Sequence, residues 1–290
     1  MSPNGSDRSP RRSMRRKLLS ALTLGLVLAT ATGCSSNDLP RLGLPTPRDV
    51  QGRTVLFLWQ GSWIAALAVG ALVWGLILWA VVFYRRSRTK VEVPPQFRYN
   101  MPLEALFTVV PLIMVSVFFF YTARDENYLL KTSDATNHIN VVGFQWSWAF
   151  NYDYQVNPHD QTAANVNGPG AYDIGTPTEE PTLWLPQGVT TEFDLTSRDV
   201  IHGFWPIDFL MKMDVIPGVV NHFEVTPTAL GTFRGKCTEL CGVDHSQMLF
   251  NVKVVTPAQY QAHLLALRAK GQSGNVPSGI VTTGAGNLQK

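Results

Sequence analysis

Residues 59–84 are twenty-six consecutive positions without an Asp, Glu, Lys or Arg, and they include Trp59, Trp63, Trp74, Trp79 and Tyr84. At about 1.5 Å of rise per residue such a run crosses the roughly 30 Å hydrocarbon core of a bilayer as a helix. Lipid offers no hydrogen bonds, so a single spanning segment must satisfy its own backbone, which a helix does. Arg85, Arg86, Arg88 and Lys90 follow at once, and the positive-inside rule places that end in the cytoplasm. A second apolar run, residues 105–121, spans when extended to 103–123, with Pro111 as an expected kink. It returns the chain to the outside, where Arg124, Asp125 and Glu126 mark the interface. Residues 55–124 are therefore predicted to be a two-helix transmembrane hairpin with both ends extracytoplasmic, in a bacterial cell membrane.

The first 33 residues carry Arg8, Arg11, Arg12, Arg15, Arg16 and Lys17, then the apolar stretch 18–29, then Ala31-Thr32-Gly33-Cys34. That is the order of a secretory signal. The small residues before Cys34 resemble a bacterial lipobox, which implies a lipid on Cys34. Residues 34–54, Pro-rich over 39–48, read as a linker. Without residues 1–33, which hold those six basic groups and Asp7, the formal charge falls from +3 to −2. The basic balance thus belongs to the leader, and nothing points to nucleic-acid binding. Over residues 125–255 there are 16 carboxylates against 6 Lys and Arg, which suits a basic protein partner steered by charge.

From His138 the pattern changes to short β-rich runs, 139–144, 190–195, 219–225 and 250–255, separated by Gly and Pro. Residues 125–256 are expected to form a β-sandwich or barrel. Residues 155–181 interrupt the rhythm and read as a surface insertion. Thr256-Pro257 opens a short terminal helix to about residue 270, and the rest of 257–290 is expected to be a disordered tail. The whole is a membrane-anchored, otherwise all-β chain.

The chemistry concentrates in residues 237–248, where Cys237, Cys241, His245 and Met248 share one short loop. Thiolate, thioether and imidazole together select copper over magnesium, calcium or manganese. Zinc is the competitor, disfavoured by the thioether, and a disulfide between the two thiols is the non-metal alternative. One more imidazole is needed from His138, His159, His202, His222 or His263, and His202, directly after a strand pattern, is the best placed.

Three motifs in order, Ser197-Arg198-Asp199-Val200-Ile201-His202, then Lys212-Met213-Asp214-Val215-Ile216-Pro217-Gly218, then the Cys237 to Met248 loop, resemble cytochrome c oxidase subunit II. The resemblance implies a cupredoxin-like domain with a binuclear mixed-valence copper centre. Cys237 and Cys241 would bridge both ions, His202 and His245 would each bind one, and Met248 and the Glu239 carbonyl would be the weak ligands. The Glu239 side chain would reach a magnesium or manganese ion shared with subunit I. Lys212 and Asp214 are expected to order the loop or the interface.

Within residues 142–150 the likeness implies that Trp146 receives electrons from a cytochrome c-type donor, whereas Trp148 reads as a core aromatic. At the start of the second helix it implies that Glu104 helps protons into a channel of subunit I; a carboxylate there is costly unless wet or paired. The expected function is the electron-accepting subunit of a proton-pumping oxidase, which passes electrons to haem in subunit I, where oxygen is reduced to water. The donor could be held in a supercomplex. No Cys-x-x-Cys-His occurs, so no c-type haem is expected. The competing readings are a membrane-tethered copper chaperone, a quinol oxidase subunit, which lacks the copper ligands, and a mononuclear blue-copper carrier, which needs one Cys.

Overall fold

The computed structural model describes residues 21–23, 25, 39–85, 88, 93, 96–131, 135–156, 163–165 and 169–277. The lipobox with Cys34, most of the signal segment, Arg86, Lys90, His159 and residues 278–290 lie outside them. The chain divides into two units, residues 1–44 and 45–290. In the first, Leu39–Arg41 form a 3-10 turn closed by the Leu44 amide on the Arg41 carbonyl, 3.1 Å.

In the second unit, helix α1 runs Val50–Phe83 and helix α2 runs Met101–Leu129. Both begin at a polar side chain that takes an orphan amide: Asp49 accepts from Gly52 N and Asn100 from Leu103 N. Their apolar side chains point outward on all sides, as in Leu72, Trp74, Leu76, Val81, Phe119 and Phe120, which is the surface that lipid or a partner helix covers. The thirty-four residues of α1 extend about 51 Å, so the helix overreaches the bilayer core and starts nine residues before Trp59. Helix α2 likewise continues past Ala123, and Pro111 lies inside it as one unbroken element.

Twelve strands are described. One sheet has the order β10-β7-β1-β2-β5, from β1 (Asn137–Phe144), β2 (Ser147–Tyr152), β5 (Ala171–Ile174), β7 (Thr191–Ser197) and β10 (Asn221–Val225). The other has the order β6-β12-β11-β8-β9, from β6 (Thr182–Pro186), β8 (His202–Pro206), β9 (Met213–Val215), β11 (Gly231–Cys237) and β12 (Leu249–Val255). Strands β3 (Tyr154–Val156) and β4 (Ala163–Asn165) form a separate hairpin. The β1·β7 and β12·β6 pairs are parallel and the remaining pairs antiparallel. This is the cupredoxin-like sandwich expected from the sequence.

Period-two alternation drives the packing. Ile139, Val141, Trp148, Phe150, Tyr152, Phe193 and Leu195 of one sheet face Leu183, Phe204, Phe250 and Val252 of the other, all essentially fully buried. Phe204 and Phe250 stack at 4.9 Å, and Trp148 meets both edge-on at 5.6 Å.

Three expectations need correction. The stretch 155–181 includes β5, which pairs with β2 from Ala149↔Ile174 to Tyr152↔Ala171, so it is not wholly a surface insertion; its Gly- and Pro-rich composition hid a short edge strand. Residues 271–277 are not a loose tail. Val276 is buried, and Asn151 bonds both its amide (2.8 Å) and its carbonyl (2.9 Å). The linker does not reach residue 54, because Asp49 caps α1. Helix α3 (Pro257–Ala269) opens as read, with Thr256 and Gln259 in a reciprocal capping box.

Candidate metal centre

Strand β11 ends at Cys237 and β12 begins at Leu249, so the loop between them hangs from two paired strands. Its ends are tied by the Cys237 amide on the Met248 carbonyl, 3.0 Å, and by the Thr238 amide on the Gly203 carbonyl, 3.0 Å. Strand β8 pairs with β11 through Cys237↔Phe204, and this long-range pairing brings His202 to the loop.

The donors converge. Cys237 Sγ and Cys241 Sγ are 3.8 Å apart and both thiols are free and buried. His202 Nδ1 lies 4.0 Å from Cys237 Sγ, and His245 Nδ1 lies 3.5 Å from Cys241 Sγ. Met248 Sδ is 3.7 Å from Cys241 Sγ, and the Glu239 carbonyl is 3.3 Å from Cys237 Sγ. Among the described residues His202, Cys237 and Cys241 are the group of His, Cys, Asp and Glu side chains close enough to share one ion. His202 and Met248 are wholly buried, while His245 and the Glu239 side chain are half-exposed. The set is sulfur-rich, dry and distributed evenly about the two sulfurs, and so fits a soft metal such as copper.

Burial lowers the His202 pKa below its usual value, against the opposing pull of Asp199. The ring is thus neutral, and with Nε2 donating to Asp199 Oδ1 at 2.8 Å its Nδ1 lone pair faces the sulfurs. Burial also works against ionisation of Asp199, but bonds from His202 and from the amides of Gln145 and Val200, both 2.7 Å, prevail and hold its carboxyl below the ordinary range. The Cys241 thiol is pushed up to about 12 by burial and by Cys237 beside it. A bound cation would favour the Cys241 thiolate at neutral pH.

Sequence reasoning missed the support for these donors. Asp199, three residues before His202, is its orienting carboxylate. Gln145 Nε2 and Trp146 Nε1 both donate to the Cys241 carbonyl, at 2.8 and 3.1 Å. A Cβ on Gly143 would press the His202 ring at 3.0 Å, and one on Gly203 would collide with Thr238 Oγ1. Gly242 has φ +126 and lies under the Trp146 indole. Three glycines in strands and loop therefore mark close approaches.

The other sequence-predicted residues divide. Trp146 is half-buried and touches the loop, and Trp148 is a core residue whose Nε1 donates to the Met248 carbonyl at 3.4 Å. Glu104 sits in the first turn of α2, exposed, and accepts from the Asn100 amide at 3.1 Å. The remaining described histidines are elsewhere: His138 is 3.3 Å from Glu192, His222 is in β10, and His263 stacks on Trp184 at 4.0 Å. Asp214 offers its carbonyl to Asn221 Nδ2 at 2.8 Å, consistent with loop ordering. Asp125, Asp153, Glu192, Asp194 and Glu224 are buried, so the acidic surface is smaller than the count of carboxylates suggests.

Residues 137–255 match the family model described as the periplasmic domain of cytochrome c oxidase subunit II. A probable cytochrome c oxidase subunit 2 of Streptomyces avermitilis is 62% identical over 98% of this chain and 97% of its own length. Cytochrome c oxidase subunit 2 of Mycobacterium tuberculosis is 37% identical over 90% of this chain and 84% of its own. The crystal structure of the periplasmic domain of subunit II of the Bradyrhizobium japonicum oxidase is 25% identical, with a TM-score of 0.40, and covers 48% of this chain and 99% of that one. Matched along nearly its whole length and carrying the sulfur and imidazole donors that a copper centre requires, the chain belongs to the cytochrome c oxidase subunit II family.

Proposed function

We propose that this chain is the electron-accepting subunit of a proton-pumping cytochrome c oxidase and that residues 237–248 with His202 hold two copper ions. The observation that carries this reading is the 3.8 Å separation of two buried free thiols with one imidazole Nδ1 beside each sulfur. A zinc site of four ligands would leave the buried Met248 thioether without a use. Cys237 and Cys241 would hold the ions through their thiolates, His202 and His245 through their imidazoles, and Met248 Sδ and the Glu239 carbonyl would be the weak ligands. When bound, a thiolate-bridged copper pair supplies one-electron transfer with small changes in bond length, because the charge is shared over two ions.

The protein's own residues then have separate tasks. Asp199 holds the His202 ring, Trp148 and Phe204 keep water from the buried side, and Gln145 and Trp146 fasten the loop through the Cys241 carbonyl. Trp146, half-exposed and bonded to a ligand residue's backbone, is the residue that receives the electron from a cytochrome c-type donor. The exposed Leu240 and Val243 beside it, at 84% and 85%, form the apolar part of a docking face. The Glu239 side chain would help to hold a magnesium or manganese ion shared with subunit I, and the electron would pass to haem in that subunit for reduction of oxygen.

In the same reading α1 and α2 are the membrane hairpin, the β-domain that follows is the copper domain on the extracytoplasmic side, and Cys34 is a lipid-carrying residue after a signal. Glu104 lies at the cytoplasmic end of α2 and assists proton uptake. The donor is a cytochrome retained in a supercomplex, and recovery of only a diffusible cytochrome after crosslinking in native membranes would count against that. The central test is copper stoichiometry and electron spin resonance of the purified protein. Two coppers per chain with a seven-line hyperfine pattern is the expected result, and one copper with four lines would overturn the binuclear reading.

A further inference from the structure

The junction between α1 and the β-domain is built like a short added strand. Arg48 N donates to the Asp208 carbonyl (2.9 Å), Val50 N to the Thr226 carbonyl (3.1 Å) and Thr228 N to the Arg48 carbonyl (2.7 Å), while Asp49 bridges Pro227. Gln51 Oε1 accepts from Thr226 N at 2.9 Å, and the Arg48 guanidinium lies 5.3 Å over the Phe233 ring. These contacts grip the 3-10 turn Ile207–Phe209, which follows β8, and the turn that precedes β11. They are the far ends of the two strands that deliver His202 and Cys237.

At the centre of this junction is a carboxyl with an odd environment. Asp49 is wholly buried. Its Oδ2 accepts from Gly52 N at 3.0 Å, but Oδ1 has no hydrogen-bond partner. A Cβ on Gly52 would collide with Oδ1 and would meet the Phe209 carbonyl at 2.9 Å, so the space is closed on that side. A buried carboxylate with an unmet oxygen is expensive, whereas a neutral carboxyl is much less so. The charged groups around it are Arg53 on α1, Arg48 on the added strand and Asp208 on the 3-10 turn; the turn Thr226–Thr228 carries none.

We infer that Asp49 is a protonatable latch: neutral, it holds the β-domain docked on the first membrane helix, and ionised, it weakens that docking. It is a positioning residue for the metal centre, and the inference stands independently of which metal the loop holds. Burial pushes its pKa up to about 7, against amide hydrogen bonds and Arg53. Docking therefore takes up a proton between the ordinary carboxyl value of 3.8 and about 7, is strongest at the acid end of that window, and falls off until the docked carboxyl ionises.

Hydrogen exchange of the Val50 and Thr228 amides in the intact detergent-solubilised oxidase, corrected for the intrinsic rate at each pH, tests this. From pH 5.5 to 7.5 the wild-type protection factors should fall by about 25-fold, the linkage expected for one proton with these two pKa values. Asp49→Asn, neutral and still able to accept from Gly52 N, should show protection that does not change between the two pH values and lies above the wild-type level at both. Asp49→Ala, without the cap, should be less protected at both. A wild-type protection that does not change with pH, or an Asn variant that follows the wild-type fall or starts at its pH 7.5 level, would overturn the latch. If the Ala variant fails to assemble, the wild-type and Asn comparison decides alone.

Discussion

Replacement of Asp199 by Ala measures how much of the metal affinity resides outside the ligands. The carboxylate accepts from His202 Nε2 at 2.8 Å and from the Gln145 and Val200 amides at 2.7 Å each. Hydrogen bonds to a charged group are worth about 1.5–3 kcal/mol each, but the two amides lie near the surface and water can replace the carboxylate there. The bond to the wholly buried His202 ring has no such substitute. Its loss lets the ring rotate or change tautomer, and the expected cost is about 1.4–2.7 kcal/mol, or roughly 10- to 100-fold in copper affinity. Asp199→Asn, which retains an acceptor without the charge, should fall between wild type and Ala. Competition against a chelator at fixed pH gives the affinities, and thermal unfolding of the metal-free proteins separates metal binding from fold stability. Wild-type copper affinity in Asp199→Ala would refute the argument, as would an affinity loss matched by an equal loss of metal-free stability.

Trp146→Phe removes the indole N–H that donates to the Cys241 carbonyl at 3.1 Å; copper content should be retained while electron transfer from reduced donor slows at least tenfold, and an unchanged rate in stopped-flow absorbance would remove Trp146 from the path. Glu104→Ala should slow proton uptake and leave copper reduction by the donor intact, and unaltered turnover would exclude the residue. Burial, with Lys253 and Lys270 nearby, lowers the His263 pKa to about 4. The unfolded chain binds this proton from 6.5 downward and the folded one does not, so His263 costs stability as pH falls from 6.5 to about 4. His263→Phe, which keeps a ring against Trp184, should lose less melting temperature than wild type between pH 7 and 5, and parallel curves would contradict this.

The parts legible in the sequence are those whose physics is local. The apolar runs of α1 and α2, the alternation in β1, β7, β10 and β12, and the Thr256 cap of α3 all state their structure within a few residues. The stretch 155–181 misled because β5 is held by pairing with β2 rather than by its own composition. Residues 271–277 misled for a similar reason, since Asn151 and not any helical or strand pattern orders them. The start of α1 was placed late because Gln51 and Arg53 dilute its hydrophobicity, and the reason they are helical is the Asp49 cap beneath the β-domain.

For the metal centre the division runs through the ligands themselves. Cys237, Cys241, His245 and Met248 lie within one loop, so chain connectivity alone requires them to be near each other, and their donor chemistry alone indicates a soft metal. His202 was one of several candidates until the β8·β11 pairing set it against Cys237. Gln145, Gly143 and Gly203 gained roles only through contacts with residues tens of positions away in the chain, and Asp199, although three residues from His202, only through the turn that folds it back onto the ring. Sequence determined the kind of metal site, because donor type is a property of single residues. Tertiary structure decided which imidazole joins it, how its tautomer is held and how Asp49 ties it to the membrane helix, because those depend on which surfaces exclude water together.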